Sequence, residues 1–84
     1  MGKSEKARVY TRLPMLRAER SLSRKELAEI LSVHYQTIGY IERGEFVPSL
    51  EIALKAAEYF GLPVEAIFSL KPFEPLNAAS LAGG

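Results

Sequence analysis

Residues 24–44 read RKELAEILSVHYQTIGYIERG, and this stretch decides the fold. Apolar side chains repeat at the spacing of one helix face over residues 24–31, and they do so again from Tyr35 onward. Only residues 32–34 join the two patterns, and so short a connection forces two helices to cross steeply. We expect the small Ala28 to allow close approach at the crossing. The side chains predicted to fill the shared core are Leu27, Leu31, Val33, Ile38 and Ile41.

The second of these helices keeps one side free of large apolar residues. That side carries Tyr35, Gln36, Gly39 and Tyr40, with Thr37 and Arg43 at its flanks. The pattern indicates a helix-turn-helix that offers a polar helix to a groove.

A longer stretch carries a family resemblance. Residues 22–68, LSRKELAEILSVHYQTIGYIERGEFVPSLEIALKAAEYFGLPVEAIF, resemble the Cro/C1-type (Xre-family) DNA-binding repressors, and the resemblance extends back to Leu13. It implies an all-α, five-helix, lambda-repressor-like domain, to which short N- and C-terminal β-strands can add a small antiparallel sheet.

Length and composition limit the classes of protein. The chain has 84 residues of which 48% are apolar, enough for one small core. Because there is no cysteine and only one histidine, we expect no disulfide, no metal site and no cofactor. No apolar run reaches the length of a membrane span and no signal-peptide pattern opens the chain, so a soluble cytoplasmic protein is expected.

Charge is unevenly distributed along the chain. Residues 1–25 hold eight Lys and Arg against two Glu, a net charge of +6, whereas the remainder holds three against eight, a net charge of −5. This asymmetry suits a protein that docks one face on phosphate. The alternative is an uneven but solvated surface.

Start and stop signals divide the chain into elements. A first helix is predicted from Pro14 to about Arg20, and a capping box of Ser23 and Glu26 starts the second. The third helix is predicted to start near His34 or Tyr35 and to end at Gly44, and the fourth to span residues 50–60 between Ser49 and Gly61, with Pro63 opening the fifth.

The two ends of the domain favour short extended segments. Residues 8–12, RVYTR, have β character, and residues 69–73, SLKPF, are predicted to be extended. We expect residues 1–7 to be a flexible basic N-terminus, 8–73 the domain and 74–84 a flexible tail. Irregular arms are the alternative for the two extended segments.

The fourth helix is apolar over more of its circumference than a helix packed on one side needs. Its polar stripe is only Glu51, Lys55 and Glu58. Either a neighbouring helix or another protomer covers the second face. Some members of the resembled family dimerise through helices four and five plus a small antiparallel sheet, so a homodimer is predicted. The interface residues assigned to it are Ile52, Ala56, Tyr59 and Val64.

The resemblance also implies roles for individual residues. Base contacts map onto Tyr35, Gln36 and Tyr40, with the Gln36 amide suited to an adenine edge. Arg17 and Glu42 match a family ion pair that links the first helix to the end of the third. The phosphate-contacting candidates are Arg24, Lys25, His34, Thr37 and Arg43.

Two positions depart from the family pattern. Ser32 stands where a glycine is usual in the turn, so left-handed backbone there has a cost. The loop at residues 45–47 lacks the basic side chains often found in it, which implies fewer phosphate contacts and makes dimerisation more important.

The functional hypothesis is a homodimeric transcriptional regulator of the repressor type that reads a near-palindromic operator in double-stranded DNA. The alternative is a protein-interaction module, such as the antitoxin of a toxin-antitoxin pair. An enzyme is not expected, because the chain offers no nucleophile and base set and no glycine-rich phosphate loop.

Overall fold

A computed structural model describes residues 8–74 of the chain, which form five helices and two short strands. The helices are α1 (Leu13–Glu19), α2 (Arg24–Leu31), α3 (Tyr35–Glu42), α4 (Leu50–Phe60) and α5 (Val64–Ile67), and the strands are β1 (Tyr10–Thr11) and β2 (Phe68–Ser69). This architecture confirms the predicted five-helix fold with a small antiparallel sheet. The segments predicted to be flexible, residues 1–7 and 74–84, lie outside the described residues apart from Glu74.

Side-chain and glycine caps set the helix boundaries. The Glu26 N–H donates to Ser23 Oγ (3.0 Å) and the Ser23 N–H donates back to Glu26 Oε1 (2.8 Å), which completes the capping box at the start of α2. After α3, Gly44 takes a left-handed φ of 77°, and the Glu45 N–H donates to the Tyr40 carbonyl (2.8 Å). This is a Schellman ending, so the chain leaves α3 where a glycine permits the turn.

One core lies between the helices. Ala28 is buried where α2 crosses α3, and its small side chain permits the close approach. Val33 is partly buried and packs against this core. The buried apolar side chains are Leu13 and Leu16 of α1, Leu27 and Leu31 of α2, Ile38 and Ile41 of α3, Ile52, Ala53, Ala56 and Phe60 of α4, and Ile67 and Phe68 at the end of the domain.

Two residues assigned to a dimer interface lie in this core instead. Ile52 and Ala56 are buried inside the protomer, so the prediction placed them on the wrong side of α4. The apolar side chains on the outward side of α4 are Leu50, Leu54 and Tyr59. A helix that is apolar nearly all round does not reveal which side faces inward until its neighbours are known.

The C-terminal strand starts earlier than predicted. It follows α5 directly at Phe68, because that side chain belongs to the core, and it pairs Thr11 with Phe68 and Tyr10 with Ser69. Next to this ladder the Ile67 carbonyl accepts from the Arg12 N–H (2.9 Å) and from Thr11 Oγ1 (3.0 Å). These bonds tie the segment before α1 to the end of α5 within one protomer.

Candidate functional site

The outward side of α3 forms a shallow depression of about 230 Å³, called here the α3 depression. The tyrosines Tyr35 and Tyr40 are 44% and 45% exposed, and Gln36 is exposed beside them in the first turn of the helix. Its lining residues are Arg24 of α2, Tyr35, Gln36, Gly39 and Tyr40 of α3, and Arg43. The structure therefore brings all three residues predicted to contact bases onto one accessible surface.

Packing fixes the rotation of α3 about its axis. Ile38 and Ile41 are fully buried against α2, which turns Gln36 and Tyr40 outward. The turn before α3 holds this geometry with Ser32 in the left-handed region, at φ 61°. The turn thus adopts the predicted conformation without the usual glycine, at the steric cost that a β-carbon brings there.

His34 is the N-cap of α3. Its Nδ1 accepts from the Gln36 N–H (3.2 Å), and its ring stacks on the Tyr35 ring with a centroid distance of 5.0 Å. Lys25 Nζ lies 5.6 Å from the centroid of the same tyrosine ring. Of the predicted phosphate contacts, His34 and Lys25 thus flank Tyr35, whereas Thr37 is partly buried and its N–H donates to the His34 carbonyl (2.9 Å).

Glu42 lies at the centre of an ion-pair cluster. Its side chain is only 3% exposed, and Arg17 approaches it with two nitrogens, Nε at 2.8 Å from Oε2 and Nη2 at 3.2 Å from Oε1. The second arginine is Arg24, whose Nε donates to Oε1 (3.0 Å). The sequence predicted the pair with Arg17 but not the second pair with Arg24.

The position of Arg43 differs from the flanking place that the sequence suggested. Its Nε donates to Glu45 Oε1 (3.2 Å), and its Cζ lies 5.2 Å from the centroid of the Tyr40 ring. A β-carbon added to Gly39 would lie 3.2 Å from Arg43 Nη1, so the guanidinium lies over this glycine and inside the α3 depression.

Two further basic side chains of the described residues, Arg12 and Arg20, make contacts within the fold. Arg20 donates to the carbonyls of Tyr59 (3.4 Å) and Phe60 (3.4 Å), at the C-terminal end of α4 where a cation is favourable. Arg12 stacks over the Phe73 ring at 4.3 Å. The basic front of the sequence is therefore only partly available for phosphate.

Within residues 8–74, no three histidine or acidic side chains are grouped as metal ligands. None of the helices in that range combines the length and hydropathy needed to cross a membrane.

Comparisons with known proteins point in one direction. A helix-turn-helix family model matches residues 15–67. An uncharacterized HTH-type transcriptional regulator of Methanocaldococcus jannaschii is 44% identical over 57 residues, which cover 68% of this chain and 86% of the relative. An uncharacterized HTH-type transcriptional regulator of Bacillus subtilis is 41% identical over 56 residues, covering 67% and 85%.

Solved structures agree with the sequence relatives. A transcriptional regulator from Listeria innocua superposes with a TM-score of 0.63 at 30% identity, covering 84% of this chain and 65% of that one. The transcriptional regulator VanUg superposes with a TM-score of 0.62 at 25% identity, covering 82% and 93%.

Proposed function

Because the chain belongs to the Cro/C1-type helix-turn-helix family of transcriptional regulators, we propose that it binds double-stranded DNA by inserting α3 into the major groove. The observation that carries this proposal is the α3 depression, in which two half-exposed tyrosines and an exposed glutamine lie between two arginines. A major groove about 12 Å wide admits one helix with such side chains.

The roles follow from the chemistry of each side chain. Gln36 can donate and accept at the same time, which matches N6 and N7 of adenine, and it lies in the first turn, where helices of this motif contact bases. Tyr35 and Tyr40 present ring faces for a thymine methyl and hydroxyls for a base edge or a phosphate. Phosphate oxygens are assigned to Arg24 and Lys25, with lesser contributions from His34 and Thr37.

Arg24 is well placed for a phosphate. Its Nε is occupied by Glu42, which leaves its two terminal nitrogens for another acceptor, and its side chain is 49% exposed. Glu42 thereby orients the guanidinium before DNA arrives, and less side-chain entropy is lost on binding.

We assign homodimerisation to the outward side of α4. Leu50 is 72% exposed there, and Leu54, four residues later, lies on the same row. Tyr59 is exposed on the opposite flank of α4, beyond the charged side chains Glu51, Lys55 and Glu58, so it lies apart from this row, and Val64 of α5 is partly buried. Two subunits joined in this way would place their α3 helices about one DNA turn, roughly 34–36 Å, apart on a near-palindromic operator.

Light scattering in solution tests the dimer. Leu54→Glu is expected to lower the measured mass from two chains to one. The matched control is Met15→Glu, which puts the same charge on an exposed apolar position of α1. A dimer mass that survives Leu54→Glu would place the interface elsewhere.

Repression is the regulatory role we propose, because occupying an operator that overlaps a promoter is enough to exclude other proteins from it. Selection of bound DNA from a random pool, followed by fluorescence titration over a range of salt concentrations, tests the DNA-binding step. Gln36→Ala should relax base preference at one position per half-site by about 1–3 kcal/mol. Arg24→Ala should weaken binding to all sequences alike and reduce the salt dependence.

A matched control for Arg24→Ala is Lys71→Ala, which removes an exposed cation that follows β2 and lies on neither α3 nor α4. It should leave the affinity unchanged. An affinity that depends on neither salt nor DNA sequence in the unaltered protein would refute the proposal.

A second candidate function is a protein-interaction module, such as the antitoxin of a toxin-antitoxin pair. An apolar groove of about 510 Å³ favours it, with Leu50 and Leu70 exposed at its walls and Ala53 and Phe68 also lining it. Stable copurification with a partner chain, without selective DNA binding, would favour this function over the first. An antitoxin that represses its own promoter would show both properties.

A further inference from the structure

Arg43 follows the last residue of α3, yet its guanidinium does not remain at that end of the helix. Side chains on a helix tilt toward its N-terminus, so the group at position 43 passes over position 39, one turn back. Gly39 has no side chain to block that path, and the position of its missing β-carbon is only 3.2 Å from Nη1 and 4.0 Å from Nη2. Both terminal nitrogens therefore lie about one turn, some 5.4 Å, closer to Gln36 than the sequence position suggests.

Two neighbours hold the guanidinium in this place. Tyr40 lies beneath it, with Cζ 5.2 Å from the ring centroid, and Glu45 accepts from Nε at 3.2 Å. Within the described residues, the Arg43 side chain makes one hydrogen bond, from Nε to Glu45. The N–H groups of Nη1 and Nη2 therefore remain available to a ligand. The guanidinium is thus held through Nε, and its terminal nitrogens Nη1 and Nη2 lie in the α3 depression.

We infer that Arg43 is a specificity-determining residue that reads a guanine in the major groove rather than a phosphate at its rim. The inference rests on the proposed function, since it requires α3 to enter the groove. Guanine presents O6 and N7 as two adjacent acceptors there, and the parallel donors of a guanidinium match both. Arg24 lines the same depression but belongs to α2, outside the helix that would enter the groove, whereas the Arg43 nitrogens lie over Gly39 of α3 itself, beside Gln36 and the two tyrosines.

The inference predicts a feature of the operator. Gly39, which lies under the Arg43 guanidinium, is three residues from Gln36, a distance of about 4.5 Å along the helix axis. With one base per roughly 3.4 Å of DNA strand, a guanine is expected one or two base pairs from the position that Gln36 reads.

The experiment compares three proteins on a panel of DNA duplexes. The duplexes are the operator selected from a random pool and versions in which each half-site base pair is replaced in turn. The proteins are the unaltered chain, Arg43→Ala and Arg24→Ala, the last being the phosphate-contact control. Thermal unfolding followed by circular dichroism confirms that each variant is folded.

Arg43→Ala should lose about 5- to 150-fold in affinity for the selected operator and little for the duplex in which one particular G·C pair is already replaced. Arg24→Ala should lose affinity for every duplex by the same factor. Gly39→Ala provides a second variant that keeps Arg43. Its β-carbon displaces Nη1, so the variant should show a weaker preference for the same G·C pair. Because alanine favours a helix more than glycine does, the melting temperature of the protein should rise.

Each outcome decides one question. A uniform loss across all duplexes on Arg43→Ala would mean a phosphate contact and overturn the inference, while leaving the proposed function standing. A selected operator without a guanine near the Gln36 position would also overturn it. An unaltered protein with no base preference at any position would instead refute the proposed function itself.

Discussion

Glu42 is nearly buried between two arginines, and its replacement by alanine should be the most destabilising polar substitution in the domain. Removing one partner of a buried ion pair costs about 3–5 kcal/mol, because a charge is left without compensation. Arg17 is 20% exposed and keeps a hydrogen bond from Nη1 to the Leu22 carbonyl (3.1 Å), so the lower end of that range, about 3 kcal/mol, is expected for Glu42→Ala. A domain of this size has a total stability of roughly 4–13 kcal/mol, so the loss is a large share of it.

The two arginines should not contribute equally to stability. Arg17→Ala removes the two hydrogen bonds that Arg17 donates to the buried Glu42 carboxylate. The free energy of unfolding should fall by about 2–3 kcal/mol, as for hydrogen bonds to a charged group. Arg24 is 49% exposed, and its pair is partly screened by water, so Arg24→Ala should cost about 1 kcal/mol or less.

Urea unfolding of the variants, with a fixed slope against denaturant, measures these differences. The double variant Arg17→Met with Glu42→Met is the decisive control, because replacing both partners by apolar groups leaves no buried charge unpaired. Its stability should lie within about 1 kcal/mol of the unaltered chain. Equal costs for Arg17→Ala and Arg24→Ala, or a double variant as unstable as the sum of its single changes, would refute the reasoning.

Four further substitutions, one of them a control, test the backbone and the caps by thermal or urea unfolding. Ser32→Gly should stabilise by about 0.5–1 kcal/mol, because the relief of left-handed strain exceeds the added entropy of the unfolded chain. Gly44→Ala should destabilise by about 1–2 kcal/mol, because a φ of 77° is strained for alanine; the Arg8 guanidinium, 2.8 Å from the added β-carbon, is the end of a flexible side chain and can move away. Gly61→Ala, with a φ of 68° and open space around it, is the control that carries the strain alone. Ser23→Ala should cost about 1 kcal/mol through loss of the capping box, and an unchanged midpoint would show that the cap is dispensable.

Local signals accounted for most of the fold. The helix starts at Ser23 and Ser49 and the stop at Gly44 are decided by hydrogen bonds within a few residues, which is why the sequence was sufficient to place them. The steep crossing of α2 and α3 likewise follows from a short connection. The outward placement of Gln36 follows from the burial of Ile38, two residues later.

The sequence did not determine which side of an apolar helix faces the core. Ile52 and Ala56 were assigned outward because α4 is apolar nearly all round, and only its packing against other elements decides its inner side. For a different reason, the sequence did not indicate the partner of Arg24. An arginine side chain has many rotamers and a long reach, so its ion pairs depend on residues that only the fold brings near, as with Glu42, eighteen positions from Arg24.

The charge asymmetry of the sequence has the same explanation. Among the described residues before α2, Arg17 is paired with Glu42 and Arg20 holds the end of α4, so the positive charge of this segment is not all available at the α3 depression. In the described part of the chain, the cations that line or flank the α3 depression are Arg24, Lys25 and Arg43, and Arg8 lies beside Gly44 at the end of α3. If Arg43 reads a base, each subunit has few phosphate contacts, and counterion release contributes correspondingly little to the affinity of a single domain. Two domains on one operator would double that contribution, which gives a physical reason for the proposed coupling of DNA binding to dimerisation through α4.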